Sequence, residues 1–487
     1  MEIQTFETAH LLALVPEIIV VVLAAVVMGL DLTLPESRRR QLGLVTAVGL
    51  FAAMAAGLIF SQPNNALIFG GMIRNDSAAF LFRMLFMFSG AITALLSLDV
   101  EGLGRKGEYY AILLGSVLGM NFMAAAADLI MLYLALETTS IGLYALAGFL
   151  RDDDKSAESG LKYFLFGALT STVMLYGFSL LFGYTGQTNL YAIAEAIGAG
   201  KIPILPLIVS AVLIVVGLGF KVAIVPFHFW TPDVYEGAPT PVTAFLSVAS
   251  KSAGFAALIR VFMAGLPGIA SAALGTGWLP MLMAMSAVTM TVGNLLALPQ
   301  RNIKRLLAYS SIAHAGYAMM GIVAFTQQGV AATVLYLMAY VLTNLAAFGV
   351  VILFARAAGS DEIADYAGLS RRSPGLAMAM LVAFLSLGGM PPLVGFVSKF
   401  FVFAAAMQAG LVWLTFLGVI NSIIGLYYYL IVLKMVYVKP APEGASAIPV
   451  PRAYAFALGL LCFGILLVGI VVTPLLNWAT TAASTLF

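Results

Sequence analysis

The chain has 487 residues, 62% of them hydrophobic and only 9% charged, with a formal net charge of +2. An ordinary soluble domain is about one quarter charged, so this composition describes an integral membrane protein and leaves no basic field that would make nucleic acid a partner. A single cysteine, Cys462, excludes a disulfide framework and an iron–sulfur cluster held by four thiolates of this chain, and only His10, His228 and His314 are available to a histidine metal site, so no metal is expected.

The N-terminal stretch MEIQTFETAH is acidic and lacks the basic region of a secretory signal, so the first apolar run is expected to remain as a mature helix. Apolar runs long enough to cross a hydrocarbon core of about 30 Å as helices recur along the whole chain. They predict fourteen spans, at 9–30, 42–61, 77–98, 109–126, 128–150, 160–183, 203–225, 241–264, 277–299, 305–326, 330–355, 375–406, 410–436 and 453–476. Only Asp128 marks the turn between the fourth and fifth. The expected organisation is one membrane domain over 1–487, with a three-helix N-terminal segment at 1–105, repeats at 106–264 and 277–438, and a final helix at 453–476. Each repeat holds an odd number of spans, five, which makes the two inverted relative to each other. The fold class is therefore an all-α polytopic membrane protein with two inverted five-helix repeats, each containing one broken helix.

Loops on the cytoplasmic side of a membrane are enriched in lysine and arginine. Alternate loops here hold Arg38, Arg39 and Arg40; Arg105 and Lys106; Arg151, Lys155 and Lys162; Arg301, Lys304 and Arg305; Arg356, Arg371 and Arg372; Lys434, Lys439 and Arg452, which is most of the 24 basic residues. The opposite loops hold only Arg74 and Lys201. Both termini are expected on the non-cytoplasmic side.

Two spans carry helix breakers beside a lysine. In GFKVAIVPFHFWTPDVYEGAPTPV, residues 219–242, Pro226 lacks the N–H that would bond the Val222 carbonyl, so a break is expected there, close to Lys221. In LSLGGMPPLVGFVSKFFVF, residues 385–403, Gly388, Gly389, Pro391 and Pro392 precede Lys399. Paired interrupted spans in the two halves of a membrane protein point to an ion or substrate site.

Glu137 and Lys251 also fall well inside spans, and His314 lies beyond the basic cluster at 301–305. A single intramembrane charge can be a packing device, a lysine paired to an acid. A series of Glu137, Lys221, Lys251 and Lys399, with two members at helix breaks, favours a proton relay, because burial favours the neutral form of each group and a nearby opposite charge the ionised form. His228 and His314 are weaker candidates, while Arg83, Arg260, Glu17 and Asp31 lie near enough to span ends to snorkel.

The residues that carry these features also carry a resemblance. Lys221 followed by PFHFWTPD at 226–233 and GAPTPV at 237–242, RNIKRLLAYSSIAHAGY at 301–317 and ESGLKYFLFGALTSTVMLYGFSLLFG at 158–183 together closely resemble the antiporter-like membrane subunits of proton-pumping NADH:quinone oxidoreductase, respiratory complex I. Multisubunit sodium–proton antiporters and membrane-bound hydrogenases are related, and membership of one of those is the alternative. Lys399 in the last broken helix, where the M-type branch has a glutamate, and an end soon after span fourteen, with no long lateral helix, resemble the N-type branch.

The resemblance implies a proton path through Glu137, Lys221, Lys251 and Lys399, with Lys162 near its cytoplasmic mouth and His228 and His314 in support. It implies that Glu137 near Lys221 stabilises the ammonium, and that separating the two sends the proton on to Lys251 and Lys399. It also implies a subunit of a redox enzyme in a bacterial inner membrane, with the M-type subunit, small membrane subunits and the phospholipid bilayer as partners. No cofactor is expected in this chain, which has no dinucleotide fingerprint, flavin motif or cluster ligands. Flavin, iron–sulfur clusters and quinone belong elsewhere in the complex.

Overall fold

A computed structural model describes residues 8–270, 277–442 and 446–486; the acidic stretch 1–7 lies outside them. A 19- to 21-residue apolar helix rises about 30 Å at 1.5 Å per residue, the thickness of a bilayer core. Such helices dominate the N-terminal part: α1 (Val15–Thr33), α2 (Gln41–Phe60), α3 (Ser77–Ser97), α4 (Gly107–Ala125) and α5 (Leu129–Ala147). The chain continues through α6 (Asp154–Thr185), α7 (Ile204–Val222), α8 (Trp230–Gly237) and the buried α9 (Thr240–Gly265). Then follow α10 (Trp278–Ala297), α11 (Ile303–Val323), α12 (Gln327–Ala358), α13 (Pro374–Gly388), α14 (Val394–Gln408), α15 (Val412–Tyr437), α16 (Arg452–Ile470) and α17 (Thr473–Ser484).

Among the described residues, twelve of these helices are long and apolar enough to cross a membrane. The 19-residue α4 and the broken pair α13/α14 complete fourteen passes. The run expected at 375–406 is interrupted, as its length required, and the one expected at 160–183 begins earlier, at Asp154, so that Lys155 joins Lys162 in the helix. A small antiparallel hairpin, β1 (Ala66–Ile68) with β2 (Ile73–Asn75), was not anticipated from the all-α reading.

Burial sorts the helices into a centre and a rim. The sampled stretches of α3, α9, α11 and α12 are 89%, 100%, 94% and 89% buried, whereas those of α1, α6 and α16 are 28%, 39% and 33% buried. The rim helices turn large apolar side chains such as Leu165, Leu169 and Ile470 outward, as a lipid-facing surface requires.

The same sequence of features occurs twice. Hairpins α4–α5 and α10–α11 each lead to a 32-residue helix, α6 or α12, and each long helix is followed by an interrupted one. The second helix of each hairpin is capped by a side chain, Asp128 in α5 and Asn302 in α11, each accepting from the two amides beyond it. Both capping residues also pair with the segment after the long helix, Asp128 with Asn189 and Asn302 with Glu362.

The arginines expected to snorkel do not. Arg83 is 0% exposed and pairs with Glu17 at 3.0 Å. Arg260 is gripped by Asp76 through two contacts of 2.8 and 2.9 Å and donates to the Ala124 carbonyl at 2.9 Å. Both lie under neighbouring helices, where a paired acid replaces the water that a rim position would offer. Asp31 does lie near the surface, 3.6 Å from Arg39.

Asp76 also caps α3 by accepting from the Ala79 amide, a task that asparagine performs equally well. Asp76→Asn therefore removes the charge and spares the cap, leaving Arg260 buried without its counterion. Breaking a buried pair in this way costs about 3–5 kcal/mol. The expected result is a clearly lowered Tm of the detergent-solubilised protein; an unchanged Tm would show the pair to be dispensable.

Candidate functional site

The lysine nearest the first break sits in the last turn of α7. The helix ends at Val222, four residues ahead of Pro226, because Ala223 adopts a left-handed conformation with φ 60°. The amides of Ala223 and Ile224 turn back to the carbonyls of Phe220 and Gly219 at 3.1 and 3.0 Å, and the Trp230 indole N–H reaches the Phe220 carbonyl at 3.0 Å. The break expected from the clash of Pro226 with Val222 is therefore made earlier, by a local C-cap, and Pro226 lies in the connection.

Lys221, 1% exposed, donates to Ser140 Oγ at 2.8 Å. Glu137, one turn away on α5, forms no ion pair with Lys221 among the described residues, and its Oε1 is buried without a hydrogen bond. Ser140, rather than Glu137, occupies the direct contact with the ammonium. Gly254 on α9 lies against the Lys221 stem; a Cβ there would come 3.2 Å from Lys221 Cβ and 2.8 Å from Val222 Cγ1.

Lys251 follows a wide π turn at Leu246–Ser250 within α9, the kind of local irregularity found at functional positions. Its ammonium donates to the Ser311 carbonyl at 2.6 Å and to Ser311 Oγ. Ser311 Oγ also lies 3.3 Å from the Tyr235 hydroxyl.

Lys399, on α14, reaches back to the end of α13. It donates to the carbonyls of Leu387 and Gly388 at 2.9 and 3.4 Å and to Ser422 Oγ at 3.0 Å, with the Tyr317 ring 5.0 Å away. The turn depends on Gly389, whose φ of 85° disfavours a side chain and whose added Cβ would meet Lys399 Cδ at 3.1 Å. Pro391 and Pro392 lie in the connection and are joined by a cis bond, as are Val225 and Pro226.

His314 bridges two tyrosines, with Nδ1 2.6 Å from the Tyr336 hydroxyl and Nε2 3.2 Å from that of Tyr429. His228 is buried against Phe229 with Nδ1 unbonded, and among the described residues it forms no hydrogen bond or ion pair with the four members of the series. Lys162 stands in a surface network. It meets Glu158 and Asp233 at 2.7 Å each, while Arg305 meets Asp233 and Glu236 at 2.9 Å each, around a cleft of about 230 Å³. Lys304, which reads as a loop charge, is instead buried and donates to the Ala238 carbonyl at 2.9 Å.

Ser140, Ser311, Tyr336 and Tyr429 escaped notice in the sequence because serine and tyrosine are unremarkable in apolar helices. One signal was available. Glu137 and Ser140 hold the same positions after the Asp128 cap as Ser311 and His314 hold after the Asn302 cap.

A family model described as NADH:quinone oxidoreductase/Mrp antiporter, TM, matches residues 126–425. NADH-quinone oxidoreductase subunit N of Moorella thermoacetica is 44% identical over 482 residues, covering 98% of this chain and 99% of the relative. The chain belongs to the NADH-quinone oxidoreductase subunit N family. A chain of respiratory complex I from Thermus thermophilus, 33% identical, superimposes with a TM-score of 0.80 over 95% of this chain and 98% of its own length. A chain of the Mrp complex from Dietzia sp. DQ12-45-1b shares the fold, with a TM-score of 0.86 at 21% identity and coverage of 98% and 97%.

Burial alone would raise the Asp233 carboxyl, but hydrogen bonds from Lys162 and Arg305 outweigh it and hold the group below its ordinary value of 3.8. A depressed carboxyl adds stability above its unfolded pKa, and that stability is lost as pH falls through the folded value. Asp233→Asn should therefore melt below the parent protein at neutral pH, and the two Tm values should converge at pH below 3.8. A gap that persists in acid would assign the effect to something other than this charge.

Proposed function

We propose that the chain is the proton-translocating N-type subunit in the membrane arm of an NADH:quinone oxidoreductase, and that its protons move through Glu137, Lys221, Lys251 and Lys399. The observation that carries this reading is a contrast between two kinds of buried cation. Arg83 and Arg260 each face a carboxylate, the arrangement expected of a packing device. Lys221, Lys251 and Lys399 face hydroxyls and carbonyls instead, and none has an ion-pair partner among the described residues. Such partners tolerate both the ammonium and the neutral amine, which a proton carrier needs.

The two sets of matching features, each with one interrupted helix, support inverted repeats at 106–264 and 277–438, with 1–105 and 453–476 as additions. The alternation of basic loops supports termini on the non-cytoplasmic side of a bacterial inner membrane, with Lys162, Asp233 and Arg305 at the cytoplasmic mouth. His314 supports the path from beside Lys399, and His228 from the connection that follows Lys221, without bonding to the four members. The redox energy comes from partner subunits holding flavin, iron–sulfur clusters and quinone; the M-type subunit and small membrane subunits are the neighbours in the bilayer. High identity to an N subunit over nearly the whole chain favours this reading over a place in an antiporter or hydrogenase.

Membranes carrying Lys221→Ala in the intact complex test the proposal. NADH-driven proton pumping and quinone reduction should both fall severely while a native gel shows normal assembly. Undiminished pumping would reduce Lys221 to a packing residue.

A further inference from the structure

The lysine series has a gap between Lys251 and Lys399. Lys251 bonds to Ser311 on α11, whereas Lys399 is held by the end of α13 and by Ser422. His314 borders the same space, but its ring nitrogens engage Tyr429 and Tyr336, and among the described residues it bonds to neither Ser311 nor Lys399.

Tyr340 on α12 lies in that gap. Its hydroxyl is buried, makes no hydrogen bond, and lies beside Ser311. The same side chain lines an internal cavity together with His314, Thr343, Ser386, Ser398 and Lys399. The cavity volume is about 10 Å³, close to what a single water needs when several polar groups surround it. A buried hydroxyl without a partner is costly, and phenylalanine would fill the same space without that cost. The hydroxyl thus has Lys251's own partner on one side and the Lys399 cavity on the other.

Resting on the proton-translocating reading above, we infer that Ser311 and Tyr340 carry the proton from Lys251 to Lys399. The N–H bond of the Lys251 ammonium breaks as its proton passes to Ser311 Oγ. The serine's original O–H proton passes to the Tyr340 oxygen, and the phenolic proton passes through one cavity water to the neutral Lys399 amine. One proton leaves Lys251 and one arrives on Lys399, while both hydroxyls finish neutral. The first step follows the hydrogen bond from Lys251 to Ser311 and the last a single water, while the middle step needs the neighbouring Ser311 and Tyr340 hydroxyls to turn toward each other, since proton transfer requires hydrogen-bond reach.

The test uses the assembled oxidoreductase in membranes, comparing the parent with Tyr340→Phe, Ser311→Ala, Ser311→Thr and Lys399→Ala. Assembly is checked on native gels, and the readout is the NADH-driven pumping rate. Tyr340→Phe and Ser311→Ala should assemble and pump about 100-fold more slowly, the lower end of the scale for losing one proton-transfer group, whereas Ser311→Thr, which keeps the hydroxyl, should recover most of the rate that Ser311→Ala loses. Full pumping by Tyr340→Phe beside a defective Lys399→Ala overturns the relay and leaves the subunit assignment standing. Full pumping by both overturns the relay together with the proton path. Should Tyr340→Phe fail to assemble, the Ser311 pair decides: a defect in Ser311→Ala alone supports the relay, and equal pumping by Ala and Thr overturns it.

Discussion

A helix that stops inside a bilayer leaves carbonyls that water cannot reach, and the interior of this protein is organised around satisfying them. At the end of α13 the carbonyls of Leu387 and Gly388 are met by the Lys399 ammonium. At the end of α7 the backbone folds over itself and Trp230 takes the Phe220 carbonyl, so Lys221, in the last helical turn, is released to meet Ser140. Both amines also lie at the negative end of a helix dipole, which favours a cation by a fraction of a kcal/mol to about 2 kcal/mol in a partly buried setting. At the second break, the interruption and the lysine therefore solve one another's problem: orphan carbonyls gain a donor, and a buried charge gains partners without a carboxylate that would lock it in the ionised state.

The large features were legible because they are written in residue types with few alternatives. Prolines and glycines beside Lys221 and Lys399 marked the two interruptions, and apolar runs marked the passes. What could not be read depends on neighbours distant in sequence. Arg83 and Arg260 resemble span-end residues until Glu17 and Asp76 are seen across from them, and Lys304 resembles a loop charge until α8 closes over it. The break at Ala223 was misplaced onto Pro226 because a left-handed alanine has no sequence signature, whereas proline does. Ser311 and Tyr340 carry no signal in isolation; the matching offsets after Asp128 and Asn302 single out Ser311 only once both caps are known.

Those offsets also show how the two halves divide the work. In α5 the two positions hold Glu137 and Ser140, beside Lys221; in α11 they hold Ser311 and His314, between Lys251 and Lys399. A carboxylate stands in one half where a neutral hydroxyl stands in the other. The same scaffold thus places a carboxyl group near the first lysine and a hydroxyl and an imidazole near the later ones. Asp233 ties the halves together mechanically, since it holds Lys162 of α6 and Arg305 of α11 at once.

The contact between Gly254 and the Lys221 stem carries a kinetic consequence. With Cβ and Cγ pressed against the α9 backbone, only the outer part of the side chain is free to swing, which limits the ammonium to a short arc around Ser140. Motion on that scale belongs to the picosecond-to-nanosecond range, while rearrangements of packed helices take microseconds to milliseconds. On the proton-translocating reading, Lys221 is a short-armed contact that waits on the slower helices to bring its next partner within reach.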